Sequence, residues 1–261
     1  MIDISDINDE RIAFYRSLRY TPKLHTDNRA FIAEEEKVVL ELLQSDIDVL
    51  SIFGTSDYLE RYASLIEQCR VPQDQIFRAD ISLMKEIVGY RLHYGFLAIG
   101  RQPQDTPLLD LPRPLIVLNA LANAENMGSI VRNAAAFGFK SIVWDEASVS
   151  PYLRRSVRVS MGNIFQMKTY HSKSLVSTLK DVKAIDFEVV AVEINPQSKP
   201  LNSYHPKDDN FCLIFGSEGR GISDAVLEMS DRIIHIPISK NVPSLNVASS
   251  TAVVLNHFSR L

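Results

Sequence analysis

Apolar residues recur along this chain in two rhythms, short runs of strand character and longer stretches with helical spacing. In the first 100 residues the runs 30–33, 48–53 and 94–99 read as strands and alternate with helical patterns over 34–43, 56–69 and 81–88. That alternation predicts a small α/β domain. Farther on, the apolar runs 115–118, 141–144, 188–192, 211–215 and 232–236 are each followed by a loop and then a helical pattern. Strand, loop and helix in repeated succession predict a mainly parallel sheet covered on both faces.

Between these regions residues 101–114 read RQPQDTPLLDLPRP. The four prolines fix φ, remove backbone donors and disfavour helix before each ring. The expected organisation is a small α/β domain over 1–100, a Pro-rich linker over 101–113 and a larger α/β domain over 114–261. In open parallel sheets ligands bind beyond the carboxyl ends of the strands, so chemistry is expected in the polar loops that follow them.

Hydrophobic residues make up 46% of the chain and charged residues 23%, enough apolar material for a core. No apolar run approaches the roughly 20 residues that cross a bilayer, and Met1, Ile2, Asp3 and Ile4 do not begin a basic-then-apolar leader. A cytoplasmic protein without membrane contact is expected. Cys69 and Cys212 lie far apart with no Cys or His at ligand spacing, which argues against a disulfide framework and against a metal; both are expected as buried thiols. A net charge of −4 speaks against a protein that coats nucleic acid. The average conceals 12 Lys and Arg against 19 Asp and Glu up to residue 110, then 16 against 13. The second half is therefore the more plausible phosphate-facing part.

Three segments after strands could carry chemistry. The first contains Asn126, where a helix is expected to begin, and Arg132 less than two turns along it; a capped helix with a solvated Arg is an equal alternative. The second, Gly216-Ser217-Glu218-Gly219-Arg220-Gly221, follows a strongly apolar strand and lets backbone approach a ligand, or is an ordinary glycine turn. It matches neither GxGxxG nor the phosphate loop, and its carboxylate disfavours phosphate. The third runs from Ile236-Pro237 to Ser244-Leu245-Asn246 and into a helix of small apolar residues. Ser244 can cap that helix, and Ala248 to Val254 read as a capped, tightly packed terminal helix, while Ser244 and Asn246 stand where helix N–H groups are unpaired.

Taken together and in this order, the three motifs resemble the SpoU, or TrmH, family of RNA ribose methyltransferases over residues 114–258. The resemblance implies a knotted (SPOUT-type) α/β domain, its C-terminal segment threaded as a trefoil, that binds S-adenosylmethionine in a bent shape. Val192, Gly216, Ile236, Ser244 and Leu245 would surround that cofactor. It further implies a homodimer in which Asn126 and Arg132 complete their own pocket or a partner's. The N-terminal region looks like the family's substrate-binding extension but is acidic where that extension is usually basic; Tyr20, Lys23 and Arg29 form either an RNA-facing edge or a solvated surface. Ile238 and Ala248 depart from residues many relatives carry.

The activity so implied is 2′-O-methylation of a ribose in rRNA or tRNA. Asn126, Arg132, Glu218, Ser244 and Asn246 form the implied catalytic group, with no metal. An Arg with a pKa above ~12 is a poor base, so Arg132 is read as a phosphate clamp and hydroxyl orienter. Arg154, Arg155 and Arg158 form a basic cluster with Arg154 and Arg158 on one helical face. They either track RNA phosphates or form a solvated face. Two other readings stand beside this one: a non-catalytic RNA-binding or ribosome-assembly protein, and a nucleotide- or dinucleotide-dependent enzyme. The intact polar set speaks against the first, the missing phosphate fingerprints against the second.

Overall fold

The computed structural model describes residues 1–18 and 21–259; Tyr20 lies outside them. The chain forms two compact units, Met1–Pro103 with Tyr152–Phe165, and Gln104–Pro151 with Gln166–Leu261. The expected contiguous domains are therefore interleaved, because a segment from the middle of the chain packs into the first unit.

The first unit holds strands β1 (Ile2–Asp3), β2 (Ala30–Glu34), β3 (Val49–Gly54), β4 (Ile76–Arg78) and β5 (Phe96–Arg101) in the order β1-β4-β3-β5-β2. β5 runs antiparallel to both neighbours, whereas β1, β4 and β3 are parallel. Its helices are α1 (Lys23–Asp27), α2 (Glu36–Leu43), α3 (Ser56–Arg61), α4 (Ala63–Gln68) and α5 (Ile81–Val88). The helix expected over 56–69 breaks at Tyr62, whose φ of −109° and ψ of 17° leave the helical region. Packing accounts for the break, since the Tyr62 ring stacks on Phe96 at 5.6 Å and its hydroxyl donates to Glu36. Ile12, Tyr15, Phe53, Phe77 and Ile99 share the core, and the buried Tyr15 hydroxyl is satisfied by Ser51 at 2.8 Å.

The inserted segment carries a short helix, Arg154–Val159, and is held by aromatic contacts. Tyr152 and Phe165 lie 5.5 and 5.4 Å from the Phe31 ring. Glu34, only 3% exposed, accepts from Arg154 at 2.9 Å, from Arg158 at 3.4 Å and from the Tyr90 hydroxyl. Arg154 also lies over the Tyr90 ring at 4.2 Å. A carboxylate taken out of water needs such partners, and here the two arginines come from 120 or more positions later in the chain.

The second unit is built on seven strands: β6 (Leu115–Asn119), β7 (Ser141–Trp144), β8 (Lys168–His171), β9 (Glu188–Val192), β10 (Lys199–Pro200), β11 (Phe211–Gly216) and β12 (Arg232–His235). All pair in parallel, in the order β10-β12-β9-β11-β6-β7-β8. The central strands are buried on both faces, which explains their continuous apolar runs. The helices are α6 (Ala124–Ala136), α7 (Arg154–Val159, already placed in the first unit), α8 (Leu175–Ala184), α9 (Asp224–Leu227) and α10 (Val247–Phe258). Phe215 pairs with Val192 and Gly216 with Asn119, so β6, β9 and β11 end level with one another and bring their loops together. Of the two cysteines, Cys212 is buried in β11, where desolvation pushes its thiol up to about 12; Cys69 is half-buried rather than enclosed.

Candidate active site

The loops at this level edge are organised from within the sheet. Asp145, just past β7 and 3% exposed, accepts from the Asn119 amide at 2.7 Å, the Ala120 N–H at 2.9 Å and the Ser148 hydroxyl at 2.6 Å. Asn119 turns its Oδ1 the other way, to the Ser223 N–H at 2.9 Å. One buried carboxylate thereby fixes both the turn that leads into α6 and the far end of the glycine loop after β11.

That glycine loop is closed on itself. Ser217 and Gly221 exchange backbone bonds of 3.2 and 2.9 Å. A Cβ on Gly216 would sit 2.3 Å from the Gly221 carbonyl carbon, so the first glycine is required for backbone to pass backbone within the loop. Gly221 takes a φ of 66° and lies against Glu193, whose carboxylate oxygens accept from Ile222 N–H at 2.9 Å and Ile194 N–H at 3.1 Å.

Asn126 and Asn246 meet at the helix starts. Asn123, not Asn126, caps α6, accepting from Glu125 and Asn126 N–H at 2.8 and 3.1 Å. Asn246, not Ser244, caps α10 through bonds from Ala248 and Ser249 N–H at 2.9 and 3.2 Å. Its amide nitrogen is left to donate to Asn126 Oδ1 at 3.1 Å and to the Glu218 carboxylate. α6 and α10 pack together, joined by Asn133 Nδ2 donating to Ala248 O at 2.8 Å.

Beside this cluster is a cavity of about 140 Å³ lined by Val192, Phe215, Gly216, Ile236, Ile238 and Leu245, with Glu193, Glu218, His235 and Ser244 among its polar groups. All five residues expected around a cofactor line it. Asn126, Glu218 and Asn246 join hands, and Glu218 links that cluster to the cavity. Arg132 does not join them: six residues beyond Asn126 it is turned by roughly 240° around α6, is exposed, and has no hydrogen bond or ion pair among the described residues. Arg154 and Arg158 are engaged by Glu34 in the first unit, Arg155 is exposed on the same helix, Lys23 is exposed and Arg29 donates to Pro103 O at 2.7 Å. Sequence reasoning missed Asp145, Asn119 and Glu193. Each stands at or just beyond the end of a parallel strand, which is the signal that could have found them.

The second unit is a parallel α/β sheet with a cavity beside the carboxyl ends of β9, β11 and β12 and no phosphate-loop motif. Residues 113–256 match the SpoU rRNA Methylase family. An uncharacterized tRNA/rRNA methyltransferase of Mycobacterium tuberculosis is 31% identical over 259 residues, 96% of this chain and 89% of the relative. The 23S rRNA (guanosine(2553)-2'-O)-methyltransferase RlmP of Bacillus subtilis is 23% identical over 98% of this chain and 99% of its own. The AdoMet-bound rRNA methyltransferase of Sinorhizobium meliloti shares the fold, with a TM-score of 0.85 at 20% identity over 98% of this chain and 97% of that one. The chain belongs to the SpoU rRNA methylase family.

Proposed function

We propose that this protein transfers a methyl group from S-adenosylmethionine to the 2′-oxygen of a ribose in ribosomal or transfer RNA. The observation that carries the reading is that residues of the second and third motifs line one cavity while Asn126 of the first is bonded to Asn246 beside it. The lining combines apolar side chains with the carboxylates of Glu193 and Glu218 and contains no Lys or Arg among the described residues, which suits an adenosyl sulfonium better than a polyphosphate. When bound, the cofactor supplies an electrophilic methyl on a positively charged sulfur.

The chain's own residues hold the acceptor in line with that methyl, and positioning is most of the task. Glu218, Asn246 and Asn126 form a rigid rim that fixes the loops on either side of the acceptor. Ser244, exposed at the cavity edge, bonds ribose or cofactor. Arg132, unengaged on α6, clamps the phosphate beside the target ribose and orients its hydroxyl. Arg155 is a further RNA contact, while Arg154 and Arg158 reach RNA only with the part of each guanidinium that Glu34 leaves exposed.

Two features of the assembly follow the same reading. β12 is separated from β6 by β9 and β11, yet α10 packs on α6. Residues 236–246 therefore cross the carboxyl ends of β9 and β11, a path that supports a trefoil knot with the glycine loop. Val242, Leu245 and Val253 are 43%, 37% and 44% exposed around the cavity and α10. A second copy covering them makes a homodimer, and Arg132 then serves the partner's site. We place the protein in the cytoplasm, where its RNA substrate is.

Incubating the purified chain with radiolabelled S-adenosylmethionine and rRNA or tRNA, then mapping ribose methylation, tests the reading. Label should enter a 2′-O-methyl nucleoside, and Arg132→Ala should slow entry by about 100-fold or more with donor affinity unchanged. No label in any RNA, together with no affinity for the donor, would refute the assignment.

A further inference from the structure

Glu193 is not explained by the transfer step. It directly follows Val192 at the end of β9, and its N–H donates to Ile234 O at 2.9 Å, so the sheet still holds its backbone. Its carboxylate is held as well. Oε2 accepts from Ile222 N–H at 2.9 Å and Oε1 from Ile194 N–H at 3.1 Å. Gly221 lies so close that an added Cβ would be 2.5 Å from Oε2. An ionised carboxylate has about four acceptor directions, and these bonds use one on each oxygen. Each oxygen thus keeps acceptor capacity, and the residue lines the cavity.

Two other polar groups of the cavity already have partners. Glu218 accepts from Asn246, and His235 Nδ1 is bonded to the Ser198 hydroxyl at 2.9 Å. Val192, Phe215, Ile236, Ile238 and Leu245 offer apolar surface against which a base can pack. A fixed carboxylate beside such a surface, at the end of a parallel strand, is suited to two adjacent hydroxyl donors.

Resting on the methyl-donor reading above, we propose that Glu193 is the residue that selects the donor by its sugar: its carboxylate accepts from the 2′- and 3′-hydroxyls of the adenosyl ribose while the apolar side chains take the adenine. The diol is common to the donor and to its demethylated product. Glu193 therefore recognises both equally and is indifferent to the charge on sulfur. Oε2 of the same carboxylate also braces the glycine loop through the Ile222 N–H, so ligand recognition and loop support share one side chain.

The test is calorimetric titration of the full chain with S-adenosylmethionine, S-adenosylhomocysteine, and the 2′-deoxy and 3′-deoxy forms of S-adenosylhomocysteine. Each deoxy form should bind the unmodified protein about tenfold more weakly or worse, the usual effect of losing a bond to a charged partner. In Glu193→Gln the penalty for at least one deoxy form should fall to about twofold or less, with the methylated and demethylated ligands weakened by the same factor. Glu193→Ala should lose both penalties, and either variant suffices if the other fails to fold. Retention of both penalties in the variants would overturn the proposal and leave Glu193 as loop support. So would a loss confined to S-adenosylmethionine, which marks attraction to the sulfonium. Absence of binding by the unmodified protein would instead overturn the methyl-donor reading and the proposal with it.

Discussion

Asn246 Nδ2 donates a hydrogen bond of 3.1 Å to Oδ1 of Asn126, 120 residues away in sequence, and Asn246 uses its side-chain oxygen to cap α10. The start of one helix is thereby registered against the first turn of another, with Glu218 bonded to the same amide nitrogen. Cap and site are one side chain, which allows them to be separated by substitution.

Asn246→Asp keeps an N-cap oxygen but places a carboxylate against Glu218. Urea unfolding should show a stability within about 1 kcal/mol of the parent, while methyl transfer falls by about 100-fold or more. Asn246→Ala should lose activity and also about 1 kcal/mol of stability. Equal activity in the Asp variant would show that the amide donor is not needed.

At Gly216 the obstacle to a side chain is backbone, with Gly221 carbon 2.3 Å from the position of an added Cβ. Backbone cannot rotate aside as a side chain does. Gly216→Ala should cost about 1–3 kcal/mol and lower donor affinity sharply, because the loop it displaces carries Glu218 and Gly221. Denaturant titration and donor calorimetry on the same sample measure both.

Glu34 holds Arg154 and Arg158 in the first unit, with Arg154 24% and Arg158 35% exposed. Removing the carboxylate strands two partly screened guanidiniums, so Glu34→Ala should destabilise by about 2–3 kcal/mol, toward the lower side of fully buried pairs. Proteolysis between Pro151 and Gln166 should accelerate as well. An unchanged cleavage rate would mean that the aromatic contacts of Phe31 alone retain the segment.

His25 is 3% exposed and its Nε2 lies 2.6 Å from the Phe14 carbonyl. Desolvation holds its pKa below the ordinary 6.5, with the carbonyl opposing. A His with a lowered folded pKa stabilises fully above its unfolded value, and that contribution is lost as pH falls below 6.5. Thermal melts should therefore show a larger drop between pH 7 and pH 5 for the parent than for His25→Gln. A matching drop in both would remove His25 as the cause.

The strands with unbroken apolar runs were legible because burial on both faces leaves no polar alternation to confuse them; β7 and β9 fall on the expected residues. β8 and β10 were not, since Lys168-Thr169-Tyr170-His171 buries chiefly Thr169 and Lys199-Pro200 has no apolar residue at an exposed edge. Asn126, Glu218 and Asn246 come together from the three motifs while Arg132 stays apart, and the caps went to Asn123 and Asn246, because several residues near each helix start can cap and only the backbone turn decides among them. The Arg154 and Arg158 partnership was invisible for a different reason. Its acid stands in β2, and nothing local to the arginines announces a buried carboxylate so far upstream.

Residues Tyr152–Phe165 belong to the first unit although both flanks belong to the second. During synthesis the ribosome must consequently deliver about 165 residues before that unit can close around Phe31, by which time β6, α6 and β7 have already emerged. A fragment ending near residue 100 leaves Phe31 and Glu34 without the partners that cover them, so the domain boundary that prolines suggest is a poor place to cut the gene.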